Sequence, residues 1–178
     1  MRARVGLIGL GAMGWPMARN LIAAGVRVGL TGRTPAKAAA LVEAGAMWHD
    51  SPRSVAAASD VIVLMLPDLP EVEAVLDGPD GILAASPRDL VLVISSTSSP
   101  DGVRGLHRRL AEETDGAVRV VDAPVSGGTD GAEAGTLSIM IGGAEPDVAR
   151  ALPVMAACGR PVHLGPLGAG QVAKACNR

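Results

Sequence analysis

Residues 9–14 of the chain read Gly-Leu-Gly-Ala-Met-Gly, and this stretch decides the fold. A run typical of a β-strand, residues 4–8, comes before it, and a run typical of a helix, residues 13–24, follows it. In the pattern Gly-x-Gly-x-x-Gly, the first glycine permits a tight turn, the second lets the backbone approach a pyrophosphate, and the third lets helix and strand pack closely. The alternative is an ordinary glycine-rich turn, but the flanking strand and helix favour a dinucleotide-binding loop. The residues predicted to form this loop are Gly9, Leu10, Gly11, Ala12, Met13 and Gly14.

The rest of the chain continues the alternation of strand and helix. Runs rich in Val, Ile and Leu occupy residues 4–8, 26–30, 61–66, 90–95, 119–122, 137–141 and 161–164, with a weaker one at 46–48. Ala-rich helical runs lie between them, at residues 13–24, 35–44, 52–58, 69–76, 100–113 and 146–157. Almost wholly apolar strands are typical of a sheet covered on both faces. The pattern therefore predicts a doubly wound, Rossmann-type α/β fold with a mostly parallel sheet.

The composition is that of a globular domain. Of the 178 residues, 48% are hydrophobic, which is too many for a disordered chain. The net charge of −2 lacks the basic excess of a nucleic-acid-binding domain. No apolar run approaches the roughly 20 residues of a membrane span, and the glycine loop begins too early to leave room for a signal peptide. We therefore expect neither nucleic acid nor membrane as a partner.

Cysteine and histidine usage bears on the compartment and on metal binding. Two cysteines, Cys158 and Cys176, are too few for a disulfide framework, so we expect a reducing compartment and a cytoplasmic protein. Both are interpreted as small, buried, apolar side chains. The histidines are isolated and lack metal-ligand spacing, so no metal site is predicted. They are His49, His107 and His163.

The end of the second strand bears on the choice of cofactor. An NAD site usually places Asp or Glu there to bond the ribose 2′-hydroxyl. Here residues 31–34 read Thr-Gly-Arg-Thr, and no acid occurs before Glu43. The guanidinium group of Arg33 is suited to a 2′-phosphate, and Thr34 and Lys37 can add contacts. The sequence therefore predicts NADP, with NAD accepted as well if Arg33 is merely a solvated charge.

Three motifs in the second half of the chain complete the pattern. Residues 122–128 read Asp-Ala-Pro-Val-Ser-Gly-Gly, residues 131–137 are compatible with a helix, and residues 165–177 read Gly-Pro-Leu-Gly-Ala-Gly-Gln-Val-Ala-Lys-Ala-Cys-Asn. Together with the glycine loop they closely resemble the β-hydroxyacid dehydrogenase family, which includes 3-hydroxyisobutyrate dehydrogenases and tartronate semialdehyde reductases. The resemblance covers essentially the whole chain. On composition alone, a plain turn between strands is the better interpretation of the Ser-Gly-Gly segment.

The resemblance implies a substrate site and further cofactor contacts. Ser126, Gly127 and Gly128 would hold the substrate carboxylate, and a hydroxyl beside accessible N–H groups does form an anion-binding concavity. Two loops fall where the family contacts its cofactor, and the residues carried over are Leu66, Pro67 and Thr97. The acid that the family usually has before its Ser-Thr pair is missing here, since residues 94 and 95 are Ile and Ser.

The resemblance also implies a catalytic pair. Lys174 corresponds to the family's catalytic lysine, which exchanges a proton with the substrate hydroxyl. A lone lysine is most often a solvated surface charge, but the Gly- and Ala-rich surroundings of Lys174 suit a partly buried amine. Asn177 lies three residues further on, on the same face of a helix, and would orient the substrate or Lys174. The next position is often Asn or Gln in the family and is Arg178 here, which puts the orienting role in doubt.

By this resemblance the protein is an NADP-dependent oxidoreductase that interconverts a small 3-hydroxy acid and its semialdehyde. Residues 1–166 would be the dinucleotide-binding domain and residues 167–178 the start of an interdomain helix. The family's C-terminal helical domain, which closes the active site and makes the homo-oligomer, would lie outside this chain, so we expect cofactor binding with poor turnover. A non-catalytic NADP-binding module and an imine reductase-like enzyme are the alternatives. Lys174 argues against the first, and Lys174 with the Ser126 turn argues against the second.

Overall fold

The computed structural model describes residues 2–177, which are built around one sheet. Its strands are β1 (Arg4–Ile8), β2 (Arg27–Thr31), β3 (Met47–Trp48), β4 (Val61–Leu64), β5 (Leu90–Ile94), β6 (Val118–Asp122), β7 (Val125–Ser126), β8 (Leu137–Gly142) and β9 (Gly159–Gly165). Neighbouring strands follow the order β3-β2-β1-β4-β5-β6-β8-β7, and β9 also pairs with β8. Strands β1 to β6 run parallel to one another, whereas β8 is antiparallel to β6 and β7 and parallel to β9.

Helices connect the strands, and several begin at residues suited to starting a helix. They are α1 (Gly14–Ala23), α2 (Ala39–Glu43), α3 (Pro52–Ala57), α4 (Leu69–Leu76), α5 (Pro100–Glu113), α6 (Gly128–Ala134), α7 (Glu145–Met155) and α8 (Ala169–Cys176), with 3₁₀ turns at Pro35–Ala38 and Ile82–Ala85. The hydroxyls of Ser51 and Ser99 accept backbone N–H bonds at the starts of α3 and α5. Asp68 and Glu71 form a capping box at α4. Such caps satisfy N–H groups that a helix cannot satisfy itself.

Both faces of the central strands are buried in aliphatic side chains. Along β4, Val61 and Val63 belong to one hydrophobic cluster, whereas Ile62 and Leu64 belong to the other. Since successive residues of a strand point to opposite faces, the two clusters lie on the two sides of the sheet. The sequence-based prediction of a doubly wound, mostly parallel α/β fold is thus confirmed.

Some of the predicted boundaries agree with the structure and others do not. β1, α4 and α5 begin and end at the predicted residues. The predicted helix at residues 35–44 is instead a 3₁₀ turn followed by the short α2, and the predicted helix at 131–137 begins earlier, at Gly128. The expectation of coverage on both faces is wrong for β9. Its Val162 and Leu164 are 53% and 47% exposed, because this strand lies beside β8 alone at an edge of the described sheet.

The two cysteines differ in their surroundings. Cys158 is 1% exposed within the core, as predicted, but Cys176 is exposed at the end of α8, so its predicted burial is wrong. Cys176 is exposed because it lies at the end of a helix, and the residue type alone does not predict that position. Across residues 2–177, no cluster of histidine, cysteine or carboxylate side chains is arranged to hold a metal. None of the described helices has the length and apolar character that crossing a bilayer requires.

We predict that only one of the two thiols reacts rapidly in the native protein. Burial raises the pKa of the Cys158 thiol to about 12, so at mildly alkaline pH its reactive thiolate is scarce and inaccessible. Titration with Ellman's reagent should give one fast thiol per native chain and two per chain unfolded in guanidinium. The variant Cys176→Ser should abolish the fast phase, and a fast phase that survives this change would contradict the burial of Cys158.

Candidate functional site

The glycine loop joins β1 to α1 at the carboxyl edge of the parallel strands. Gly9 has a φ of +112°, which L side chains rarely adopt, and a Cβ there would overlap the carbonyl group of Met65. A Cβ at Gly14 would overlap the carbonyl oxygen of Gly9. At Gly11, by contrast, a Cβ would meet no atom within 4 Å. The first and third glycines are therefore required by the fold, whereas the second faces open space.

Among residues 2–177, no side chain caps the amino end of α1, where the N–H of Trp15 donates to the carbonyl oxygen of Gly11 and Pro16 has no N–H. Met13 at the N-cap makes no side-chain cap bond, and the first turn contains no acidic residue. At α3, α4 and α5, the side chains of Ser51, Asp68 and Ser99 perform this task. Unsatisfied N–H groups and the helix dipole favour negative charge. The start of α1 therefore fits a phosphate group.

A cavity of about 620 Å³ opens beside the glycine loop. Its volume falls within the roughly 300–1,000 Å³ that is usual for small-molecule and cofactor sites. The predicted cofactor residues that line it are Gly9, Leu10, Gly11, Arg33, Thr34, Lys37, Leu66 and Pro67. Four others do not line it: Ala12, Met13, Gly14 and Thr97. Of these, Met13 is partly buried against the hydrophobic core.

Arg33, Thr34 and Lys37 form an exposed basic corner of this cavity. Within residues 2–177, neither Arg33 nor Lys37 forms a salt bridge. Charges at the opposite end of the strands are paired instead. Arg4, for example, lies 3.0 Å from Asp60, and its hydrogen bond lowers the pKa of that carboxyl group. The cations of the basic corner are therefore available to an anionic ligand.

One contact that sequence reasoning misses holds the basic corner against α1. The indole Nε1–H of Trp15 donates a hydrogen bond of 2.9 Å to the carbonyl oxygen of Lys37. Trp15 lies in the first turn of α1, so the helix that presents free N–H groups is tied directly to the 3₁₀ turn Pro35–Ala38. The only signal in the sequence is a tryptophan beside the glycine loop in a chain with two tryptophans and no Phe or Tyr.

Two acidic residues also line the cavity, although the sequence places no acid at the end of β2. Asp50 follows β3, which pairs with β2, so parallel pairing brings its carboxylate to the same edge. Glu71 lies in the first turn of α4, and its carboxylate accepts the N–H of Asp68 at 3.1 Å. The Asp-x-x-Glu spacing is a recognisable capping signal for Glu71, whereas only the sheet order reveals Asp50.

Buried hydroxyl groups lie at the carboxyl end of β5. Ser95 and Ser96 are 1% and 5% exposed, and among the described residues their side-chain oxygens and that of Ser98 have no hydrogen-bond partner. Thr97, the predicted cofactor contact, is exposed in the same segment. A buried hydroxyl without a partner is costly. These hydroxyls do not line the cavity, so the fit to a bound nicotinamide dinucleotide rests on the open space at Gly11 and on the basic corner.

Ser126, Gly127 and Gly128 lie where β7 passes into α6. Gly127 and Gly128 have φ values of +136° and +62°, so both positions use the conformational freedom of glycine. The segment therefore connects a strand to a helix, and its interpretation as a plain turn between strands is wrong. Ser126 is half-buried and pairs with Ser138 on β8. None of the three predicted substrate residues lines the cavity beside the glycine loop.

Lys174 is half-buried in the last turn of α8. The helix packs against β8, the strand that also pairs with β7, so Lys174 and Ser126 are carried by elements that share one neighbour. Asn177 lies beyond the helix, with φ −89° and ψ 101°, and its N–H donates to the carbonyl oxygen of Lys174. In the described residues α8 ends at Cys176, and Asn177 has an extended backbone there. Arg178 lies outside the described residues.

Comparison with known proteins gives a consistent set of similarities. The family model described as the NAD binding domain of 6-phosphogluconate dehydrogenase matches residues 4–168. The 2-(hydroxymethyl)glutarate dehydrogenase of Eubacterium barkeri is 43% identical over 98% of this chain and 57% of that protein. The structure of Mycobacterium tuberculosis 3-hydroxyisobutyrate dehydrogenase with L-serine is 38% identical, with a TM-score of 0.87, and covers 99% of this chain and 59% of that one. The structure of Psf3 with NADP+ and 2-OPP is 29% identical, with a TM-score of 0.87, over 97% of this chain and 61% of that one. The chain thus spans about three fifths of the length of these proteins.

The glycine loop provides a matched pair of variants. Gly14→Ala should lower the free energy of unfolding by about 2–3 kcal/mol, because the new methyl group overlaps the Gly9 carbonyl. Gly11→Ala should unfold like the parent but bind NADPH at least about tenfold more weakly, because the methyl group occupies the space open to a phosphate. Thermal unfolding and fluorescence titration measure the two effects. Unweakened NADPH binding by Gly11→Ala would contradict the assignment of the loop.

Proposed function

Because the chain belongs to the family described as the NAD binding domain of 6-phosphogluconate dehydrogenase, we propose that it is the cofactor-binding part of an NADP-dependent oxidoreductase. The reaction that we propose interconverts a small 3-hydroxy acid and its semialdehyde. Similar proteins carry names of this class, among them dehydrogenases of 2-(hydroxymethyl)glutarate and of 3-hydroxyisobutyrate. The observation that carries the proposal is that the first half of the glycine loop, which leads into α1, and the basic corner line one cavity.

The chain's own groups divide the work of holding the cofactor. The N–H groups at the start of α1 receive the pyrophosphate, and the open side of Gly11 lets the backbone approach it. Arg33 and Lys37, with the hydroxyl of Thr34, receive the 2′-phosphate. Leu66, Pro67 and Thr97 contact the cofactor further along the carboxyl edge of the strands. The cavity accordingly combines apolar lining residues, such as Leu66, Pro67 and Val75, with the basic corner.

At the other end of the site, the chain supplies groups for the substrate. The hydroxyl of Ser126 and the N–H groups of Gly127 and Gly128 hold the substrate carboxylate. When bound, the nicotinamide ring supplies the hydride chemistry. The amine of Lys174 takes the hydroxyl proton during oxidation and, as an ammonium group, returns it to the carbonyl oxygen during reduction. Asn177 orients the substrate or the lysine from the segment that follows α8.

The proposal also covers the domain organisation, the oligomeric state, the cellular compartment and the partners of the protein. We propose that residues 1–166 act as the dinucleotide-binding domain, which agrees with a family match ending at residue 168. Residues 167–178 would then start the helix that leads into the remaining two fifths of the relatives' length. We also propose that the full-length protein is a cytoplasmic homo-oligomer and that nucleic acid is not among its partners. The absence of a basic excess, with a net charge of −2, supports the last point.

The cofactor assignment is tested by removing one charge. We predict that Arg33→Ala weakens NADPH binding about tenfold or more and changes NADH binding less than about threefold, because charge-assisted hydrogen bonds contribute about 1.5–3 kcal/mol. Fluorescence titration of both cofactors with parent and variant measures this. Arg88→Ala, which removes an exposed arginine away from the cavity, is the matched control. An equal loss for both cofactors would contradict the assignment of a 2′-phosphate to Arg33.

The chemistry is tested at Lys174 in the full-length polypeptide. A panel of small hydroxy acids and semialdehydes identifies the substrate first. Lys174→Ala should then lower kcat by about 10²- to 10⁴-fold, the usual contribution of a general acid or base, while the Kd for NADPH stays within about threefold. Arg160→Ala removes an exposed cation from β9 and is the charge control. A parent that binds NADPH but turns over none of these compounds would favour a non-catalytic module or an imine reductase instead.

A further inference from the structure

The start of α8 is held by a buried carboxylate at the end of β6. Asp122 is 0% exposed. One of its oxygens accepts the N–H of Gly168 and the other accepts the N–H of Gln171, both at 2.8 Å. Burial raises the pKa of this carboxyl group, and the N–H bonds that it receives oppose that rise. Asp122 therefore satisfies, from the sheet, N–H groups that α8 cannot satisfy itself.

Gln171 extends this attachment to a second strand end. Its side chain is 1% exposed, and both of its polar atoms are used. The amide Nε2 donates to the carbonyl oxygen of Ser96 at 2.8 Å, and Oε1 accepts the N–H of Ser98 at 2.9 Å. Residues 96–98 contain Thr97, which we assign to the cofactor. The side chain thus bridges α8 and the end of β5 across more than 70 residues of sequence.

Glycines allow the first turn of α8 to pack closely against the backbone of the sheet. A Cβ at Gly170 would overlap the carbonyl oxygen of Met140 on β8. A Cβ at Gly142 would press on a carboxylate oxygen of Asp122 and on the backbone of Ala169. Close backbone packing and the buried hydrogen bonds therefore fix the same turn independently. Lys174 follows Gln171 by three residues, about one turn further along the helix.

Resting on the function proposed above, we propose that Gln171 is a positioning residue. Together with Asp122 it holds the helix of Lys174 at a fixed place relative to residues 96–98. The lysine amine and the cofactor approach the substrate from different elements, so their separation depends on what joins those elements. Gln171 joins them directly, and a displacement of about 1 Å in such a site can lower the rate about 10²-fold.

The test compares Gln171→Met with the parent in the full-length polypeptide. Methionine has a similar length and is apolar, so it fills the space while removing both hydrogen bonds. We expect kcat to fall about tenfold to hundredfold, while KM and the Kd for NADPH stay within about threefold. Asp122→Asn, which keeps one acceptor oxygen, should give a smaller loss of the same kind. Val172→Ala, an exposed position on the same helix, is the control and should match the parent.

Hydrogen–deuterium exchange supplies a readout that needs no turnover. In the parent, NADPH should slow exchange of the α8 amides, because ordering residues 96–98 also orders the helix tied to them. In Gln171→Met this slowing should disappear, while the amides around the glycine loop are still protected by NADPH. A folded Gln171→Met variant with parental kcat, or with α8 still protected by NADPH, overturns the proposal.

These outcomes separate the two hypotheses. An inactive parent contradicts the proposed function, yet the exchange experiment still decides whether Gln171 couples the cofactor segment to α8. An active parent with an unaffected Gln171→Met variant leaves the proposed function intact and contradicts the positioning role. If the methionine variant does not fold, the same comparison is made with Gln171→Leu, which also removes both side-chain hydrogen bonds to residues 96–98, so both measurements decide in the same way.

Discussion

The close packing of Gly14 against the carbonyl group of Gly9 is the constraint on which the site depends. It places the start of α1 directly over the end of β1. The strand pairing then aligns the ends of three strands, because Ile8 is in register with Thr31 on β2 and with Leu64 on β4. The segments that follow these three strands therefore leave the sheet at the same level. The cavity lined by Ile8, Thr31 and Leu66 is a consequence of that register.

Polar groups are distributed unequally between the two ends of the parallel strands. At the amino end, Arg119 pairs with Asp89 and with Asp147, whose side chain is nearly buried, and Arg150 joins the same Asp89. At the carboxyl end, among residues 2–177, Arg33 and Lys37 form no salt bridge, and the hydroxyls of Ser95, Ser96 and Ser98 have no hydrogen-bond partner. A fold whose stability comes from its apolar layers can leave one edge unsatisfied. That edge is where a polar, anionic ligand gains most from binding.

The sequence predicts those features that depend on local chemistry. The glycine loop and the apolar central strands each follow from residues close together in the chain, and their positions agree with the structure. Contacts between distant segments are different. The bond from Trp15 to Lys37, the position of Asp50 and the bridge made by Gln171 all depend on which elements become neighbours. The exposure of β9 also depends on which elements become neighbours, since an apolar strand has the same sequence pattern at the centre and at the edge of a sheet.

The choice between the two cofactors is a difference of affinities, so contacts common to both cannot determine it. In the proposed function the glycine loop and α1 serve the pyrophosphate, which NAD and NADP share. Only groups near the 2′ position discriminate, and there the exposed Arg33 and Lys37 face the same cavity as Asp50. Between solvent-exposed charges, attraction and repulsion are screened over about 8 Å at physiological ionic strength. Direct, bidentate hydrogen bonds from a guanidinium group to a phosphate add energy and geometric specificity at short range. In the function proposed above, preference for NADP would therefore depend on the geometry of the basic corner, where the indole N–H of Trp15 donates to the carbonyl oxygen of Lys37.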